Sequence, residues 1–95
     1  MLHFKKLSMA EKITKNGFTP KDVMRKIVVL MCGKYDISGW NENSRIAEIG
    51  IESLDVLRLF LELEDAFHIA LEGTVFKNCQ TLGDVVNVIM KSRKL

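Results

Sequence analysis

No run of apolar residues in this 95-residue chain approaches the roughly 20 needed to cross a bilayer. The basic start, Met1 to Leu7, is followed by Ser8, Glu11, Lys12 and Lys15, where a secretory signal needs its apolar stretch. The expectation is therefore a cytoplasmic protein without stable membrane insertion. Cysteine is scarce: Cys32 and Cys79 share no C-x-x-C spacing, so zinc and redox chemistry lack their usual pattern, and reduced, mostly buried thiols are expected. The two histidines are His3, near the start, and His68, at the end of an apolar-periodic segment, and neither is placed as the base of a nucleophilic serine. There is no Gly-rich phosphate loop, and the scattered acids show no metal-ligand spacing. Period-2 segments of useful length, internal repeats and low-complexity tracts are also absent, which excludes β-sheet and solenoid architectures.

What is present is the balance of one folded domain, 47% apolar and 27% charged, with enough chain for a single modest core. Charge is unevenly spread. Residues 1–19 hold Lys5, Lys6, Lys12 and Lys15 against Glu11, whereas residues 52–67 hold Glu52, Asp55, Glu62, Glu64 and Asp65 against Arg58. The cluster Lys21, Arg25 and Lys26 is interrupted by Asp22 and carries no interleaved aromatics, so it reads as a solvated helix face and not as a nucleic-acid surface.

Three capping boxes mark helix starts: Ser8 to Glu11, Thr19 to Asp22 with Pro20 at the first helical position, and Thr81 to Asp84. The first predicts a short helix ending near Gly17. The second predicts a helix with Val23, Ile27, Leu30 and Met31 on one stripe, running to about Lys34 or Tyr35. The turn-rich stretch between Ile37 and Gly50 predicts a long connection anchored by Ile46 and Ile49. From Ser53 to Phe67 the periodicity predicts a helix whose stripe is Leu54, Leu57 and Leu61, flanked by Leu59, Leu63 and Phe67, with Arg58, Glu62 and Asp65 toward water. Ile69 and Leu71 should return to the core in extended form, Thr74 to Asn78 should make one short turn burying Val75, and Leu82, Val85, Val86 and Ile89 should face inward from the last helix. The fold is thus expected to be all-α: a small four-helix bundle of three longer helices and one short one, with a long first loop. Residues 1–19 would form a basic N-terminal extension and residues 20–95 the domain.

The segment Gly50-Ile51-Glu52-Ser53-Leu54-Asp55 sets a serine between two carboxylates where a turn becomes a helix. It is not a hydrolase elbow, since G-x-S-x-G needs glycine two residues after the serine and Asp55 stands there. A hydroxyl so placed, without a base of its own, suits modification by another enzyme.

These residues resemble the acyl carrier proteins and the related peptidyl carrier domains. The core is Ile46 to Leu57, close to that family's acidic residue, Leu-Gly, variable residue, Asp-Ser-Leu and helix; Leu63-Glu64-Asp65-Ala66-Phe67 and Thr81 to Val86 follow in register. The resemblance implies that Ser53 carries 4'-phosphopantetheine, moved from coenzyme A by a phosphopantetheinyl transferase with Mg²⁺, and that the terminal thiol holds acyl groups as thioesters for acyl-loading and acyl-processing enzymes. It implies a carrier that catalyses nothing itself, a monomer, serving fatty-acid, polyketide or related specialised biosynthesis. A helix N-terminus suits that role because its free N–H groups favour a phosphodiester. Glu52, Asp55, Glu62 and Asp65 are the candidate partner-recognition residues. The alternatives are an aminoacyl or peptidyl carrier, and a helical interaction module in which Ser53 is only a helix cap. Glu52 in place of aspartate, Arg58 at a commonly acidic position, and Gly73, Thr74 and Lys77 in place of acidic residues imply a specialised member. Phe76 falls where the family often has a small residue lining its acyl cavity, so the ring would shorten or fill that space.

Overall fold

The computed structural model describes residues 17–71 and 75–94. The expected helix at Ser8 to Glu11 lies outside the described residues, as does the side chain of Phe76, on which the cavity-shortening idea depends. The packed residues begin with Phe18, which is buried and packs against Phe67 with ring centroids 4.5 Å apart and the rings tilted by 42°.

Helix α1, Pro20–Met31, opens with the expected capping box: the Thr19 N–H donates to Asp22 Oδ2 at 2.9 Å, and the Asp22 N–H donates back to Thr19 Oγ1 at 3.1 Å. Val23, Ile27 and Met31 are its buried stripe, while Leu30 is only half-buried. The helix ends at Met31, earlier than its periodicity predicts, and the chain continues as a turn in which the N–H groups of Lys34 and Tyr35 share the Met31 carbonyl, at 3.1 and 2.9 Å. Cys32, expected to be buried, is exposed at this end; Cys79 is half-buried.

The long connection is more ordered than expected. Tyr35, Ile37 and Trp40 pack against the core alongside the anticipated Ile46 and Ile49, and Ile46–Ile49 form a short helix, α2. The stretch is tied to the start of the last helix, α4, Leu82–Lys91, by three backbone hydrogen bonds: Ile46 N–H to the Gln80 carbonyl (2.8 Å), Leu82 N–H to that of Ser44 (3.0 Å) and Gly83 N–H to that of Glu42 (2.8 Å). A Cβ at Gly83 would lie 2.8 Å from that Glu42 oxygen, closer than such contacts allow. Helix α4 starts with its own box, Thr81 and Asp84, and buries Leu82, Val85, Val86 and Ile89 as its pattern predicts.

Helix α3, Ser53–Phe67, has the expected extent but a different rotation. Its buried side chains are Val56, Leu59, Phe60 and Leu63, together with Asp55. Leu54, Leu57 and Leu61, read from spacing as the centre of the core stripe, are exposed at 75%, 40% and 57%. Both sets have helical spacing, so periodicity does not choose between them. Past His68, whose φ of 54° ends the helix, Ile69–Ala70 form β1, which pairs antiparallel with β2, Arg93–Lys94, in a two-stranded ladder that the sequence pattern does not announce. A single 3-10 turn, Val75–Asn78, stands where a short helical turn is expected, and Val75 is half-buried. Helices α1, α3 and α4 pack around one core, so the all-α bundle expected from the sequence is what the chain forms.

Two substitutions test this packing. Gly83→Ala should destabilise by about 1–3 kcal/mol through the forced contact with the Glu42 carbonyl, lowering the melting temperature, even though alanine is otherwise the better helix former. Leu63→Ala should cost about 2–5 kcal/mol in urea unfolding, and Leu61→Ala less than about 1 kcal/mol; equal losses would show that Leu61 is a core residue.

Candidate functional site

Ser53 is placed by the ends of two helices. Gly50 closes α2 with φ of 80°, a left-handed conformation that favours glycine, and turns the chain so that Ile51 plugs into the core. Glu52 follows in extended conformation as the N-cap of α3, which makes Ser53 the first helical residue and not the cap. Among the described residues, no side chain caps this helix, and no acceptor meets the N–H groups of Ser53, Leu54 or Asp55. The exposed Ser53 hydroxyl likewise has no hydrogen-bond partner among them. The alternative in which Ser53 serves only as a helix cap is therefore not what the geometry shows.

The two carboxylates flanking the serine differ in environment. Glu52 is exposed. Asp55, expected on the recognition surface, is 6% exposed, and its Oδ2 takes a hydrogen bond from the Tyr35 hydroxyl and an ion pair from Lys34 Nζ at 2.9 Å. The hydrogen bonds from Tyr35 and then Lys34 hold the Asp55 carboxyl below the usual carboxylate range. The same contact with Asp55 raises both Lys34 and Tyr35, so the ammonium and the phenol keep their protons. The Tyr35 hydroxyl also accepts the Glu52 N–H at 3.2 Å.

Glu62 and Asp65 are exposed on α3, as expected, and helical geometry puts them with Arg58 beside the exposed Leu54, Leu57 and Leu61. Sequence reading missed the outward leucines and the roles of Lys34 and Tyr35. One signal was available for the leucines: apolar residues cover most of the circumference of 54–63, more than one side of a three-helix core can bury.

A cleft of about 490 Å³ opens at Ser53, with Ile46, Ile51, Val56 and Cys79 as its apolar wall. Arg45 and Lys77 stand at the same cleft, although Arg45 is also paired with Glu48 at 3.5 Å. Burial, with a smaller effect from Asp84, pushes the Cys79 thiol up, away from the reactive thiolate. Among the described residues, no cluster of three or more His, Cys, Asp or Glu side chains could hold a metal, and no helix is long and apolar enough to cross a membrane.

Comparison with known proteins bears on the same residues. The phosphopantetheine attachment site family matches residues 23–89, a span that includes Ser53. The chain is 32% identical over 73 residues to an acyl carrier protein of Phytoplasma australiense, covering 74% of this chain and 96% of that protein. It is 43% identical over 42 residues to an acyl carrier protein of Exiguobacterium sibiricum, covering 44% of this chain and 53% of that protein. The crystal structure of an acyl carrier protein from Thermotoga maritima shares the fold, with a TM-score of 0.69 at 24% identity over 76% of this chain and 87% of that one. The chain belongs to the acyl carrier protein family. It is accordingly a carrier and not an enzyme, and membership implies a 4'-phosphopantetheine prosthetic group and dealings with a phosphopantetheinyl transferase and acyl-processing enzymes in general.

The Asp55 contacts predict a pH dependence. A carboxyl lowered in the folded state adds stability that is complete above its unfolded value, about 3.9, and is lost as pH falls through the folded value. Urea midpoints of wild type and Asp55→Asn should therefore differ most near neutral pH and converge below about pH 4, and a constant gap would show that the charge plays no part.

Proposed function

We propose that this chain carries acyl intermediates on a 4'-phosphopantetheine arm attached to Ser53, for enzymes of fatty-acid, polyketide or related specialised biosynthesis. The observation that carries the assignment is the state of Ser53: an exposed hydroxyl without an acceptor or donor among the described residues, on the first turn of a helix whose leading N–H groups are uncapped, at the mouth of a cleft. These residues fit the group. The hydroxyl is free to be esterified, and the N–H groups and positive end of the α3 dipole favour the negative charge of a phosphodiester. When bound, the group supplies a terminal thiol that holds acyl chains as thioesters. The chain contributes the oxygen and its placement; the base and the Mg²⁺ belong to the transferase.

Recognition is assigned to the outer side of α3. Glu52 lies next to the serine, while Glu62 and Asp65 flank Leu54, Leu57 and Leu61, so an apolar strip bordered by acids is available to a partner. Arg58 breaks the acidic border, which suits partners whose basic patches are smaller or differently placed than those of a uniformly acidic carrier. We place the protein in the cytoplasm, where coenzyme A and these enzymes meet, and read it as a monomer.

Incubation of the purified chain with coenzyme A, Mg²⁺ and a broad-specificity transferase should raise its intact mass by one phosphopantetheinyl group. Ser53→Ala should abolish the gain while the far-ultraviolet circular dichroism stays helical. Modification that survives Ser53→Ala would move the attachment point elsewhere.

A further inference from the structure

Helix α3 does not begin as α1 and α4 do. In those two helices, the aspartate three residues after the cap folds straight back onto the cap N–H: Thr19 N–H donates to Asp22 at 2.9 Å, and Thr81 N–H to Asp84 at 3.0 Å. The equivalent pair in α3 is the Glu52 N–H and Asp55, and they do not meet directly. The Tyr35 hydroxyl stands between them, accepting the Glu52 N–H at 3.2 Å and donating its own proton to Asp55 Oδ2. Lys34 Nζ meets the same oxygen at 2.9 Å. The second half of the box is also missing, since Glu52 provides no side-chain acceptor for the first-turn N–H groups.

We propose that Tyr35 is a positioning residue for the modification of Ser53: its hydroxyl, relaying between the Glu52 N–H and Asp55, fixes the Ile51–Glu52 peptide immediately ahead of the serine while leaving the serine hydroxyl and the leading N–H groups uncovered. The proposal rests on Ser53 being the attachment point. A serine, threonine or asparagine cap would secure the helix start just as well, but its side chain would occupy the N–H groups that an incoming phosphate needs. A hydroxyl reaching in from another part of the fold avoids that conflict. It is also held firmly, because the Tyr35 N–H is bonded to the Met31 carbonyl at 2.9 Å and its ring lies against Trp40 with centroids 6.3 Å apart. Without the relay, the cap residue is tied to the opening turn through its carbonyl, which accepts the Val56 N–H at 3.0 Å, and its own N–H loses its partner, so this helix end frays more readily. Group transfer responds strongly to the placement of the attacking oxygen. Apart from Glu52, whose side chain takes no part in the relay, the leucines and acids assigned to docking lie along the outer face of α3, so loss of the relay should act on turnover far more than on docking.

Tyr35→Phe in the full chain removes the hydroxyl and keeps the ring. On the unmodified protein, amide exchange followed by NMR should show the Glu52 N–H protected in wild type and exchanging about tenfold faster in the variant, with Leu63 in the core of α3 unchanged. In transfer from coenzyme A by a broad-specificity transferase, kcat should fall about tenfold or more, with KM for the carrier within about twofold. Ile89→Val, which trims the core away from the site, controls for lost stability and should leave both constants as in wild type. The proposal is overturned if the wild-type Glu52 amide exchanges freely, if kcat survives Tyr35→Phe, or if Ile89→Val slows transfer equally. A wild-type chain that accepts no group from any transferase overturns the carrier assignment itself, and the exchange contrast, which needs no transferase, tells the two failures apart.

Discussion

A carboxylate that leaves water must find partners for its oxygens, and at Asp55 those partners come from the far end of the preceding helix. Lys34 and Tyr35 can supply them only because α1 ends at Met31 and the chain bends there. With Asp55 drawn toward that bend, the rotation of α3 is set. Val56, Leu59, Phe60 and Leu63 turn to the core, and Leu54, Leu57 and Leu61 turn to water. The same contact secures the Ile51–Glu52 peptide, immediately ahead of Ser53, through Tyr35. One buried acid thus links the end of the first helix, the orientation of the second long helix and the placement of Ser53.

The long connection serves the same end from the other side. Its backbone bonds to the start of α4, where Gly83 allows the chains to approach, hold α2 against the body of the domain. Gly50 then delivers the chain into α3 at a fixed angle, with Ile51 buried and Ser53 exposed. The cleft beside the serine is bounded by this connection on one side and by Lys77, Cys79 and Gln80 on the other. At the site the backbone on either side is held by hydrogen bonds, and among the described residues the serine hydroxyl has no such partner. Exposed leucines next to it gain nothing for the isolated domain, which is why the proposed function has partners cover them.

Much of this was legible along the chain. The Thr19 and Thr81 boxes, the inward faces of α1 and α4, and the extent of α3 follow from local rules, because capping and amphipathic periodicity act over a few residues. The Gly50 to Asp55 segment was sufficient to single out Ser53 and to suggest modification by another enzyme. Errors gathered where two local patterns were equally good. The leucines of α3 form a stripe as regular as the buried one, and nothing within the helix says which is which. Lys34 and Tyr35 looked like the last turn of a helix, though they are the residues that leave it in order to reach Asp55.

Sequence alone therefore determined the three longer helices, where two of them start, and that Ser53 opens the second, since each depends on neighbours within one or two turns. Tertiary structure decided which face of α3 is buried and that Asp55 is an internal anchor instead of a surface charge. It also decided that the cap of the serine's helix is completed by a tyrosine 17 residues earlier in the chain. Those outcomes depend on groups far apart in sequence competing for the same oxygens and the same core volume, and only the folded chain brings them together.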